Sequence, residues 1–241
     1  MHLAYNFAAM FRFKRFALQH GPGLKVTTDA VFFGAWVPLL GEGPLLDVGA
    51  GTGLLAAMAA QRRPNAGPLH LLEPNAAAAA LCKQNMAQLP FTANWQLFEQ
   101  QVEEYEPAGS YADILMNPPF FEESLPRQAQ DLSQALHADR ALLERWLGRC
   151  RPWLLPGGRL HLMVQPQVRP RLLLWALKHG ISVLQEGFLH HSPAHEPIRY
   201  VACLAETDGA VPRRPNWYVQ GDDAKPDPAY RALVQDFYLS L

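Results

Sequence analysis

The sequence predicts an α/β fold built on a parallel sheet, and three observations carry that prediction. From residue 45 onward, short apolar runs alternate with helix-like patterns. Three glycines, Gly49, Gly51 and Gly53, stand where the first apolar run gives way to a helical one. The chain of 241 residues is 49% hydrophobic, enough for one complete core.

The elements follow in order. Leu45–Val48 reads as a short buried strand and Leu54–Gln61 as the helix after the glycines. Leu69–Glu73 is a second strand, and Asn75–Gln88 a second helix, rich in alanine and stopped by Pro90. Trp95–Phe98 is a weaker third strand; Tyr111–Met116 is a fourth, ending at Asn117-Pro118-Pro119. In Asp139–Arg151, Leu143, Trp146, Leu147 and Cys150 recur at helical spacing on one face. Pro156-Gly157-Gly158 turns into strand Arg159–Val164, and Val168–His179 is a helix ended by Gly180. Ile181–His190 and Tyr200–Glu206 read as an antiparallel hairpin at the sheet edge. Gly209–Pro228 reads as a surface connection and Ala229–Leu239 as a closing helix.

Composition excludes several classes. No apolar run reaches the roughly 18–20 residues of a membrane span. The first 16 residues place their charges after the apolar stretch, unlike a secretory leader. Cys82, Cys150 and Cys203 are isolated, without metal-finger spacing, and read as reduced buried thiols of a cytoplasmic protein. His190, His191 and His195 lack the number and spacing of a metal site, so no metal is expected. Net charge is −1, which rules out a coat of uniform positive charge. Its distribution is uneven: the first 28 residues carry +4 and the remainder −5.

Asp47-Val48-Gly49-Ala50-Gly51-Thr52-Gly53 sits at a strand-to-helix turn. Glycines there permit positive φ and close approach of a ligand to the backbone. The spacing is G-x-G-x-G, with Leu54 where a dinucleotide fingerprint needs its third glycine. Asp47 would repel a pyrophosphate but suits a ligand with an ammonium group. Glu73, 20 residues beyond Gly53, suits ribose hydroxyls. S-adenosylmethionine carries an ammonium, a sulfonium and a ribose, and no phosphate. The alternative is a purely structural turn with Asp47 capping the helix.

Asn117-Pro118-Pro119-Phe120 follows the fourth strand and would face the same crevice. The prolines stiffen the turn and leave carbonyls free. The Asn117 side-chain oxygen and the Pro118 carbonyl can accept hydrogen bonds from a planar amine and bring its lone pair toward a methyl donor. Phe120 offers a face for a base. The alternative is a proline-rich exit loop with Phe120 as a core plug.

The stretch Asp47–Gly53 resembles the first motif of class I methyltransferases, and Leu155–Leu160 resembles their turn before the fifth strand. That resemblance implies a Rossmann-like sheet of seven strands, the last antiparallel, with helices on both faces. The tetrapeptide at Asn117 resembles the motif of methyltransferases acting on adenine N6, cytosine N4 or glutamine N5. Phe11–Phe16, Leu24–Trp36 and Tyr230–Leu241, together with these motifs, are similar to the bacterial tRNA adenine-N6 methyltransferases acting on adenine 37 of a valine tRNA. The resemblance implies catalytic roles for Asn117, Pro118 and Phe120. It implies cofactor contacts from Asp47, Gly49, Gly51, Glu73 and Asn117, and places Lys25, Thr28 and Asp29 at the methionine end. For Asp29, capping of the following helix is the alternative. The family often has an aspartate where Gln101 stands, and a tyrosine where Phe120 stands. The loop Phe121–Ala138 has acids at Glu122 and Glu123 and only Arg127 as a cation.

Phe11-Arg12-Phe13-Lys14-Arg15-Phe16 alternates rings and cations. With Arg12, Lys14 and Arg15 on phosphates and the rings on unpaired bases, it would grip RNA. The alternative is an edge strand with its rings in the core. The expected organisation is one domain, 1–241: a basic-aromatic extension at 1–44, a catalytic core at 45–206 and a C-terminal segment at 207–241. The implied partner is tRNA, with no membrane. Other readings are glutamine N5 methylation of a release factor, adenine-N6 methylation of rRNA, and a degenerate RNA-binding protein that kept the fold. The 44 residues before the first core strand disfavour the release-factor enzyme, which usually has a separate helical N-terminal domain.

Overall fold

The computed structural model describes residues 9–21, 25–64, 66–91, 93–118, 142–207 and 215–240. Strands β3 (Leu45–Val48), β4 (Leu69–Leu72), β5 (Trp95–Phe98), β6 (Tyr111–Met116), β7 (Leu154–Val164), β8 (Ser182–His190) and β9 (Pro197–Ala205) form one sheet in the order β8-β9-β7-β6-β3-β4-β5. The strands from β5 to β7 pair in parallel, and β9 runs antiparallel between β7 and β8. That is the seven-strand arrangement expected, with the β8–β9 hairpin folded so that its second strand reaches the sheet first. A three-residue strand, β10 (Asn216–Tyr218), adds to β8 in parallel at the edge.

Every residue of β3 and β6 is buried, which is why these central parallel strands read as continuous apolar runs. On one face lie α1 (Thr28–Trp36), α2 (Leu54–Arg62), α3 (Ala76–Ala87) and α6 (Pro228–Val234). Their core includes Phe32, Phe33, Ala56, Ala57 and Met58. On the other face α4, residues 142–150, and α5 (Arg169–Lys178) cover Leu46, Val48, Ile114 and Met116 with Leu147 and Leu172. Local signals set the helix starts. Asn75 accepts the Ala78 N–H at 3.0 Å to cap α3, and Asp227 accepts from Ala229 and Tyr230 to cap α6.

Three expectations change. The leader is no single alternating strand but a hairpin, β1 (Ala9–Arg12) and β2 (Ala17–His20), whose turn closes with Phe13 N–H donating to Phe16 O at 2.8 Å. Phe13 and Phe16 stack at 4.5 Å and are buried, so their rings serve the core and are closed to RNA bases. The closing helix stops at Val234 rather than Leu239, because the chain beyond it docks on the leader: Lys14 N–H donates to Phe237 O, and Phe13 pairs with Tyr238. The connection expected at 209–228 contains β10.

At the end of the sheet where the parallel strands begin, buried Asp113 accepts the Leu40 N–H at 2.8 Å, Arg63 Nη1 at 3.3 Å and His161 Nε2 at 2.8 Å. Burial holds the His161 imidazole below its usual pKa, against the pull of Asp113. This carboxylate joins three elements distant in sequence. Replacing Asp113 with Ala is expected to cost about 3–5 kcal/mol, because it removes the counter-charge of Arg63, which keeps only the Leu40 and Gly41 carbonyls, and leaves the Leu40 N–H and buried His161 without their acceptor. Urea unfolding should show the midpoint fall without loss of a single cooperative transition.

Candidate active site

Parallel pairing sets the geometry of the site. Val48 lies opposite Leu72 and Met116, and Leu72 opposite Phe98. The next residues, Gly49, Glu73 and Asn117, therefore emerge level at the carboxyl edge, where open α/β sheets bind ligands. Gly49, Gly51 and Gly53 adopt φ of +73°, +56° and +86°, so the turn they build is open to glycine and strained for other residues. A Cβ on Gly51 would meet nothing within 4 Å, so its backbone faces open space. One on Gly53 would lie 3.0 Å from Cys82 Sγ, so packing there is tight as well.

Buried polar groups hold the turn. Glu73 Oε2 accepts the Gly51 N–H at 2.8 Å and its Oε1 accepts the Asn75 N–H at 2.8 Å. Asn85 donates to Thr52 O and Gln19 O at 2.9 Å and accepts the Gln19 N–H at 2.7 Å, tying the leader hairpin to the turn. Asp47 Oδ2 accepts the Ala56 N–H at 3.2 Å in the first turn of α2. The capping role is thus real. Asp47 Oδ1, however, is buried without a partner. Burial first, and then Glu73, raise the Asp47 carboxyl to about 7, while the Ala56 N–H opposes them.

Two further buried atoms lack partners here. One is Asn117 Oδ1; the other is Trp146 Nε1. The Trp146 ring lies 3.8 Å from where a Gly49 Cβ would stand, so α4 walls the crevice beside the first glycine. Sequence reading placed Trp146 on the core face of its helix without a site role; its unpaired N–H becomes visible only when α4 is laid against the turn. An orphaned buried polar atom costs about 1–3 kcal/mol. Of the ten such atoms among the described residues, these three gather at one crevice, where a ligand that both donates and accepts would meet them.

The remaining site residues scatter. Pro118 is buried beside Asn117, whereas Pro119, Phe120 and the loop 121–138 lie outside the described residues. Gln101 is exposed after β5, its main-chain oxygen accepting the Glu104 and Tyr105 N–H groups. Lys25 and Thr28 are exposed, and Thr28 hydrogen bonds to Tyr238. Asp29 accepts its neighbour Ala30 N–H and receives Arg199 Nε at 2.6 Å, an ion pair to β9 that its candidate role did not foresee. Arg12, Lys14 and Arg15 are exposed. Lys14 and Arg15 share a groove with Gln61 and Arg62 at the far end of α2, about 13 Å of helix from Gly53.

A glycine turn after the first parallel strand, an acid at the end of the second and an asparagine at the end of the fourth define a class I methyltransferase. The overall shape agrees: a predicted O-methyltransferase from Agrobacterium tumefaciens superposes with a TM-score of 0.67 at 18% identity, covering 86% of this chain and 95% of that one. The methyltransferase small domain family matches residues 37–178. The tRNA1(Val) (adenine(37)-N6)-methyltransferase of Dyadobacter fermentans is 32% identical over 97% of this chain and 98% of that protein. The one from Pedobacter heparinus is 29% identical over 96% and 98%. The chain belongs to the methyltransferase small domain family, in the branch of these tRNA1(Val) (adenine(37)-N6)-methyltransferases.

The raised Asp47 carboxyl has a thermodynamic signature. Folded protein holds a proton on it between about pH 4 and pH 7 that the unfolded chain has released, so stability falls as pH rises through that window and levels off above it. Asp47→Asn should flatten this slope and raise the ligand-free protein's stability at pH 8, by about 4 kcal/mol at most. Urea midpoints at pH 5 and pH 8 measure it.

Proposed function

We propose that this enzyme transfers a methyl group from S-adenosylmethionine to the exocyclic N6 amine of an adenine in tRNA, at position 37 beside the anticodon. The observation that carries the reading is the buried, unpartnered Asn117 Oδ1 level with the glycine turn. It is an acceptor waiting for an amine at the edge where the methyl donor binds. The substrate named for the curated relatives, matched over nearly their whole length, supports tRNA over protein glutamine and over rRNA.

S-adenosylmethionine supplies an electrophilic methyl on a sulfonium and leaves as S-adenosylhomocysteine. The residues present fit it. Asp47 and the open backbone at Gly49 and Gly51 receive its amino-acid end. Glu73 has lone pairs left for ribose hydroxyls, and Gln101 stands after β5 on the adenine side. Lys25, Thr28 and Asp29 belong to the methionine end in this reading, Asp29 through its pairing with Arg199. Asn117 Oδ1 and the Pro118 carbonyl accept the two N–H bonds of the adenine amine and turn its lone pair toward the methyl. Phe120 stacks on the base. Positive charge builds on nitrogen during transfer, so the two oxygens stabilise it where it forms, and the proton leaves afterwards. No strong base is needed. The amine is closed in paired RNA, so an unpaired or extruded base is required. Arg12, Lys14 and Arg15 hold phosphates away from the reacting base.

The deciding measurement is transfer of labelled methyl to bulk tRNA, with N6-methyladenosine identified by nucleoside mass spectrometry; label on protein glutamine would sink the proposal. Asn117→Ala is expected to bind the methyl donor within about 1–2 kcal/mol of the parent while losing most turnover. Full turnover in that variant contradicts the amine role. Arg12→Ala with Lys14→Ala should weaken tRNA binding and lower the salt slope by roughly one unit per lost phosphate contact. An unchanged slope moves the phosphate surface elsewhere.

A further inference from the structure

The three histidines that resisted a metal reading occupy a position the sequence did not show. β8 rises past the catalytic edge. Met116 is level with Leu162, Ala202 and Glu186, so Asn117 is level with Gly187 on β8. His190 stands three residues beyond that level, about 10 Å along the strand. β8 lies three strand spacings from β6, about 14 Å across the sheet. The β8–β9 turn therefore forms a raised wall on the Asn117 side of the crevice.

The wall is built firmly and presents rings. His190 Nδ1 donates to His195 O at 2.8 Å, and the His190 ring packs on Tyr218 at 5.1 Å. His195 Nδ1 bonds the Ser192 hydroxyl at 2.7 Å, and its ring meets His191 edge-on at 5.6 Å. Beyond β10, Val219 and Gln220 N–H groups donate to the His190 and His191 carbonyls at 3.0 and 2.9 Å. His191 and His195 are nonetheless exposed. Among the described residues no group of three or more His, Cys, Asp or Glu is placed to hold a metal. Glu196, exposed in the same turn, disfavours a grip by positive charge alone. Flat faces with ring N–H edges, fixed beside a cleft that takes an extruded base, suit the neighbouring unpaired bases.

We infer that His191 and His195, on the tip braced by His190 and Tyr218, are a nucleotide-contacting site that holds unpaired RNA bases flanking the acceptor adenine. The inference rests on the tRNA reading above. Its test compares the parent with His191→Ala/His195→Ala and with His191→Phe/His195→Phe. The measurements are tRNA binding by filter retention, methyl-donor binding by calorimetry, and thermal midpoint. The alanine pair should raise the tRNA Kd and KM about tenfold, consistent with losing one stacking contact. The phenylalanine pair should recover most of that loss. Donor affinity and midpoint should stay unchanged. Unaltered tRNA Kd and KM in the alanine pair overturn this inference alone. Failure of the parent protein to methylate tRNA overturns the substrate reading and this site with it.

Discussion

The whole carboxyl edge depends on keeping a left-handed glycine turn in one shape. Three glycines at positive φ are entropically costly to hold, and side chains far apart in sequence hold them. Glu73 fixes Gly51, Asn85 fixes Thr52, and Asp47 fixes the start of α2. Because Asn85 also binds both backbone groups of Gln19, the leader hairpin is tied to the same turn. The hairpin's other end carries Lys14 and Arg15, and it is locked into the core by Phe13 and Phe16, which pack on Tyr238, beyond α6, and on Phe91. The proposed phosphate grip and the methyl-donor site are therefore joined through one hydrogen-bonded hairpin.

Much of this fold is legible in the sequence, and the reason is burial on both faces. β3 and β6 coincide with the expected ranges because a strand covered above and below must be a continuous apolar run; β5, a half-buried edge strand, coincides as well. Elements at the margin are harder. β10 is three residues with one face half-buried, so it has no period to detect. The leader misleads differently. Its rings and cations alternate as a strand would, yet Phe13 and Phe16 reach the core from a turn, where spacing of two has no meaning.

The site divides along the same line. Glycines, a strand-end acid and an asparagine before prolines stand out as candidates because each position is dictated by local backbone geometry. Trp146 and Arg199 cannot. Trp146 looks like any large apolar residue of an amphipathic helix until α4 is placed over Gly49. Arg199 lies 170 residues from the Asp29 it pairs with, and only the return of β9 into the sheet brings them together. Asp29 illustrates the consequence: the sequence offered it as a helix cap, but Thr27 is the cap, and Asp29 sits in the first turn of α1 held by an arginine that the sequence did not show.

The buried atoms without partners give the site its direction. Two buried carboxylates away from the edge are well engaged: Asp113 has three donors, and Glu186 takes Arg169 through two hydrogen bonds at 2.9 Å with the Tyr200 hydroxyl added. At the edge, Asp47, Asn117 and Trp146 each leave one polar atom unmet. Seven buried side-chain atoms elsewhere among the described residues also lack partners, Arg63 Nε and His161 Nδ1 beside Asp113 among them, so position rather than rarity sets Asp47 Oδ1 and Asn117 Oδ1 apart. Asp47 Oδ1 and Asn117 Oδ1 stand where the strands end and a ligand can reach them, which fits destabilisation retained for binding. The amine-holding role proposed for Asn117 would gain from this in catalysis. An acceptor already dehydrated and fixed does not reorganise when charge develops on the amine it holds, so more of its interaction energy appears in the transition state than in the ground state.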